Sequence, residues 1–137
     1  MIKKTILIIA TFFISTSISS AAPEDIKGTY SGAETLTVFD CKHKAVLKGG
    51  VTLNITEMKG TTFKGNGTNM DSKFTFKGEI KDDQLTSKVK GKNKWGQTWD
   101  ATTEGTLNGN KYAYSVNGKV NEAPNCKFTS DVQVMQK

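Results

Sequence analysis

The sequence predicts an all-β fold: a small eight-stranded antiparallel up-and-down barrel, with a two-layer β-sandwich as the alternative. Three observations carry this. Apolar and polar residues alternate in short runs between Ile26 and Val134, the period-two signature of strands with one dry face and one wet face. Gly78, Ile80, Leu85, Val89 and Gly91 recur 27 residues later as Gly105, Leu107, Tyr112, Val116 and Gly118, with identical internal gaps. Each copy reads as a strand, a tight turn and a returning strand. Glycines also fall repeatedly on the inward phase (Gly65, Gly67, Gly78, Gly91, Gly105, Gly118), where a sheet that must bend sharply omits side chains.

The runs follow in order along the chain. The first, from Ile26 to Val38, holds Tyr30, Leu36 and Val38 in phase. The second carries Val51, Leu53 and Ile55, the third Phe63, Gly65 and Gly67, and the fourth Phe74, Phe76, Gly78 and Ile80. Leu85, Ser87 and Val89 mark the fifth. Trp99, Ala101, Thr103, Gly105 and Leu107 mark the sixth. Tyr112 to Val120 supplies the seventh, and Cys126, Phe128, Val132 and Val134 the eighth. The links Glu57-Met58-Lys59-Gly60, Lys81-Asp82-Asp83-Gln84 and Asn108-Gly109-Asn110-Lys111 have turn composition, and Asn-Gly tolerates the positive φ of tight hairpins. Nearest-neighbour links between eight strands favour closure into a barrel.

Residues 1–21 are expected to be a signal peptide ahead of a single domain, 22–137. Lys3 and Lys4 precede the apolar run Ile6–Ile14, and Ser19 and Ala21 occupy the −3 and −1 positions of a cleavage site. The apolar run is too short for a permanent span, which needs ~20 residues. The product is therefore expected in a bacterial periplasm or outside the cell. In that compartment Cys41 and Cys126 read as a disulfide. With an even strand count, the first strand ends at the rim where the eighth begins, so a bond there would close the barrel seam. The rival reading, a metal site at Cys41-x-His43, supplies two ligands where a closed zinc site wants four. No metal and no cofactor is expected.

The formal charge is +6, and +4 once Lys3 and Lys4 are removed. Lysines are spread along the chain without an arginine-rich run or a reading motif, so nucleic acid is excluded as the expected partner. Outward positions such as Lys73, Lys77, Lys88, Lys90, Asp100, Glu104, Lys127, Asp131 and Gln133 are polar, unlike a lipid-facing band. No membrane span is expected.

Catalytic patterns are missing. His43 is the one histidine, no phosphate-binding glycine loop follows a strand, and Asp82-Asp83 reads as a solvated hairpin tip. The expectation is a monomeric binding module without catalytic residues. The rim opposite the tight turns receives 40–45, 68–72, 91–96 and 121–125, with Lys42, His43, Lys44, Asn69, Met70, Lys92, Lys94 and Trp95. Such a rim suits an anionic ligand. Lys88 and Lys90 are expected to pair across strands with Asp100 and Glu104, leaving Lys92 and Lys94 for a ligand. Inside, the many aromatic residues favour a filled core, while Tyr112, Tyr114, Thr103 and Glu34 either line a polar pocket or satisfy one another. The expected partner is thus a small anionic or amphipathic molecule, held at the rim or in the interior. The alternative is an envelope or host protein, as for a secreted inhibitor.

Overall fold

The computed structural model describes residues 25–39 and 44–137. The expected signal peptide and the segment 40–43, with Cys41, Lys42 and His43, lie outside the described residues. Eight strands follow one another: β1 (Gly28–Phe39), β2 (Ala45–Lys59), β3 (Thr62–Thr68), β4 (Ser72–Lys81), β5 (Gln84–Asn93), β6 (Thr98–Asn108), β7 (Lys111–Val120) and β8 (Ala123–Gln136). Each pairs antiparallel with the next, and β8 pairs with β1 to close the barrel. The seam runs from Tyr30 opposite Gln136 to Phe39 opposite Lys127. Closure removes both free sheet edges.

The repeated spacing corresponds to two hairpins with one register. Ile80 faces Leu85 and Gly78 faces Ser87 in β4–β5, as Leu107 faces Tyr112 and Gly105 faces Tyr114 in β6–β7. Both turn through a residue in the left-handed region, Asp82 at φ 58° and Gly109 at φ 65°. Aspartate and glycine tolerate that region best.

Two links differ from expectation. The β2–β3 hairpin turns at Gly60-Thr61 rather than over 57–60, because a bulge between Ile55 and Glu57 resets the phase and prolongs β2 to Lys59. Residues 121–125 are not a long loop. A second irregularity at Lys119/Val120 lets β8 begin at Ala123.

The inward glycines have a structural explanation beyond bending. Gly65, Gly67, Gly78, Gly91, Gly105 and Gly118 directly face Phe76, Phe74, Phe63, Trp99, Tyr114 and Phe128 on a neighbouring strand. In five of the pairs ring atoms of the aromatic lie where a Cβ would stand; at Gly105 the obstacle is the Ala113 carbonyl and the Tyr114 Cα and Cβ. The aromatic covers the backbone that glycine leaves bare.

The two ends of the barrel are unlike. At the tight-turn end Ile26 is buried beneath β1, and the Tyr30 hydroxyl donates to its carbonyl at 2.8 Å. Gln136 Nε2 donates to the Lys27 carbonyl at 3.1 Å, and Lys137 N–H to Thr29 O at 2.9 Å. This end is a packed floor of Ile26, Tyr30, Leu53, Ile55, Ile80, Leu85 and Val134. Towards the other end the inward residues Phe74, Tyr114, Val116 and Phe128 are only partly buried. They line open space.

Candidate ligand cavity

The interior is not filled, contrary to the expectation from its aromatic content. A cavity of about 260 Å³ runs down from the loop-bearing mouth. Its walls are mainly Phe74, Phe76, Val89, Trp99, Val116 and Phe128, and Asn69, Asp71, Asn93, Trp95 and Gln97 ring the entrance. The rings interlock edge to face: Trp99 and Phe128 lie 5.4 Å apart at 88°, and Phe74 and Trp99 5.8 Å apart at 52°. Locked contacts of this kind, with small glycines behind them, leave space that the side chains cannot collapse to fill.

A polar group breaks the apolar wall. Glu34 of β1, Ser87 of β5, Thr103 of β6 and Ser130 of β8 all occupy inward positions. Ser87 Oγ and Thr103 Oγ1 share a hydrogen bond of 2.5 Å. Ser130 Oγ donates to Glu34 Oε2 at 2.7 Å. Glu34 is only 5 % exposed, and its Oε1 has no hydrogen-bond partner among the described residues. Burial pushes its pKa up, against the Ser130 bond and the nearby Asn69 side chain, which favour the charged form without closing a bond on Oε1. Nearby Asp71 adds to the upward shift.

Tyr112 and Tyr114 stack with centroids 4.5 Å apart. Burial raises Tyr112 to about 12, with the Thr103 hydroxyl opposing the shift. Tyr114 is held well above the usual phenol range by burial, then by Tyr112 and Glu34. Neither phenol ionises near neutrality, so both act as hydrogen-bonding walls.

The entrance is built from side chains bonded to backbone. Asn69 Oδ1 accepts from Ser72 N–H at 2.9 Å and Asp71 N–H at 3.3 Å. Asn93 Oδ1 accepts from Trp95 and Gln97 N–H, each at 3.0 Å. Lys94 N–H donates to the Asp71 carbonyl at 2.7 Å, tying the β5–β6 link to the β3–β4 link. Glu122 accepts from the Thr98 N–H and hydroxyl, each at 2.7 Å, and fixes the β7–β8 turn against β6. The β3–β4, β5–β6 and β7–β8 links at this rim are therefore held in place, which lowers the ordering cost of binding.

The candidate residues from the sequence divide accordingly. Tyr112 and Tyr114 line the cavity with Thr103 and Glu34, and Thr103 also bonds Tyr112. Trp95 stands at its entrance, 67 % exposed, with Lys94 Nζ 4.9 Å from its ring centroid. Lys44 and Lys92 are exposed on the outside of the mouth. Lys92 is not without a partner, since its charge helps hold the Glu122 carboxyl below the usual range after the two Thr98 bonds. Lys90 pairs with Asp100 at 3.7 Å. Lys88 faces Thr102 rather than Glu104. Lys42, His43 and Cys41 lie outside the described residues, while Cys126 lines the cavity near its mouth.

Sequence reasoning missed Ser130, Asn93, Gln97 and Asp71. Ser130 had a usable signal, a polar residue on the dry phase between Phe128 and Val132. Among the described residues, no group of His, Cys, Asp and Glu could hold a metal ion, and no helix is long and apolar enough to cross a membrane. No family model matches the chain, and neither a curated protein nor a solved structure matches it.

Proposed function

We propose that this chain is a binding module, not an enzyme, that captures a small amphipathic molecule inside the barrel. The carrying observation is the open cavity of about 260 Å³, mainly apolar, with a polar group at Glu34, Ser130, Thr103 and the stacked tyrosines. A dry apolar cavity of ~150 Å³ holds a benzene ring, so this one suits a body of one or two rings. An anionic group on such a ligand fits only the outer rim, at Lys44, Lys92 and Lys94, because Glu34 and Asp71 make the interior acidic.

The test is a set of one- and two-ring compounds, among them indole and naphthol, read by melting temperature and by quenching of Trp99 fluorescence. Val116 lies on the cavity wall between its cross-strand neighbours Thr103 and Ser130, so Val116→Phe fills the space. Capture predicts binding by the unmodified protein and at least about tenfold weaker binding by V116F, or ~1.4 kcal/mol. The reading fails if no compound binds, or if V116F binds as well as the original.

One observation favours a second reading, contact with an envelope or host protein. Val46 (65 % exposed), Leu47, Met70 and Trp95 form an exposed apolar rim at the mouth, the kind of patch that marks interaction sites. In that case Trp95→Ala removes an association that V116F leaves intact.

We further propose that the chain acts as a monomer after export to a periplasm or the exterior and loss of residues 1–21. The basis is the charged, apolar and small-residue order of that segment. A Cys41–Cys126 disulfide accords with the seam, where Phe39 faces Lys127, one residue after Cys126 and two before Cys41. No free cysteine occurs among the described residues.

A further inference from the structure

Most polar groups along the cavity wall are satisfied internally. Ser87 and Thr103 bond one another, Thr103 also serves Tyr112, and Trp99 Nε1 donates to Ser72 Oγ at 3.2 Å. Glu34 is the exception. Ser130 occupies one oxygen, while the other is buried, with the Asn69 side chain near the carboxyl but no bond closed on that oxygen among the described residues. A buried acceptor without a donor is costly, more so when it carries charge. A donor brought in by a ligand would remove that cost.

The surroundings narrow the donor's chemistry. Ring faces and edges of Phe74, Trp99, Tyr114 and Phe128 surround the space. Aromatic faces attract cations. The charged side chains lining the cavity are Glu34 and Asp71, and no lysine or arginine contributes to its wall among the described residues. An anion would therefore meet like charge in a poorly solvated space, whereas an ammonium would meet a carboxylate and π-faces. The cavity volume of about 260 Å³ limits the ligand to a small body.

We propose, resting on the interior-capture reading above, that the cavity selects small amines: an apolar ring or short chain held among the aromatic rings, with a protonated nitrogen donating to Glu34 Oε1. Lys44, Lys92 and Lys94 at the mouth are exposed and form no part of the cavity wall.

A matched trio with one ring and one linker tests the idea: phenethylamine, 2-phenylethanol and 3-phenylpropionate, titrated calorimetrically into the whole purified protein. The amine is expected to bind about tenfold or more tightly than the alcohol, because its positive charge also meets the carboxylate and the aromatic faces, where a hydroxyl brings only a hydrogen bond. The carboxylate is expected to bind weakest. Glu34→Gln preserves shape and the acceptor for Ser130, and should abolish the amine's advantage, so that amine and alcohol bind this variant equally. Amine and alcohol binding equally, or E34Q retaining the amine preference, overturns the amine assignment and leaves interior capture standing. Failure of all three ligands, together with failure of indole and naphthol, overturns both. The comparison among the three ligands on the unmodified protein decides the matter even if E34Q does not fold.

Discussion

Glu34 and Glu122 show how one residue type takes opposite shifts within a single barrel. Glu34 is buried, so its folded pKa is raised by desolvation. Glu122 is exposed and doubly bonded to Thr98, so its folded pKa is lowered. The linkage signs follow. A raised carboxyl pKa means the folded state binds its proton more tightly than the unfolded state does, so stability from Glu34 is present at acid pH and lost as pH rises from the ordinary carboxylate range to the higher folded value. Asp71 and Tyr114 interact electrostatically with this group, and neither Tyr114 nor Tyr112 titrates in that window. Glu34→Gln removes the titration. The melting temperature of E34Q relative to the unmodified protein is therefore expected to climb between pH 4 and pH 7. A difference that stays flat, or falls, would show that burial does not raise the Glu34 pKa. That Glu34 faces inward was legible in the alternation of β1, because it shares a phase with Tyr30 and Leu36. Its bond to Ser130 was not, since that pair is 96 residues apart in sequence and depends on barrel closure.

Among the strands, the glycine–aromatic pairs explain both curvature and hollowness. Phe63, Phe74, Phe76, Trp99 and Phe128 each lay ring atoms over a neighbouring glycine, which covers the bare backbone and leaves the centre open. Gly91 is the sharpest case. It faces Trp99 on β6 and Phe74 on β4, and the indole of Trp99 lies where its Cβ would stand. Gly91→Val is expected to cost about 2–3 kcal/mol through overpacking and displaced aromatics, and to weaken ligand binding because Trp99 walls the cavity. Gly50→Ala is the contrast: its Cβ would meet only Gly32 O at 3.8 Å, so removing a strand glycine there should be neutral or stabilising by up to ~1 kcal/mol. Chemical denaturation of both variants checks the pair. Equal effects would mean that glycine acts here through backbone freedom alone. The inward phase of these glycines was readable from the sequence. Their aromatic partners were not, because a partner is set by cross-strand register, and bulges at Ile55/Glu57 and Lys119/Val120 shift that register.

At the scale of the whole molecule, alternation, turn chemistry and the duplicated hairpin were enough to give eight strands in neighbour order, since each is a local property of the chain. The cavity was beyond them: whether aromatics meet across the barrel axis depends on its radius, and that emerges only when β8 closes on β1. The same closure governs the last expectation. The seam is a complete ladder from Tyr30–Gln136 to Phe39–Lys127, so the barrel is held shut by backbone bonds whether or not a covalent link exists. A Cys41–Cys126 bond at the end of that ladder would act chiefly on the unfolded chain, closing a loop of roughly 85 residues worth about 4–5 kcal/mol in the chain-entropy account. Reduction, or a Cys126→Ser variant, is therefore expected to leave the far-ultraviolet β signature and ligand binding largely intact while lowering the denaturant midpoint steeply. The open mouth adds a discriminating detail. Because Cys126 lines it, a bond that merely restrained the entrance would show up as faster ligand dissociation on reduction with little change in the midpoint. A large midpoint shift assigns the link to the stability of the closed barrel. Two free thiols in natively exported protein would remove the link altogether and leave the hydrogen-bonded seam as the sole closure.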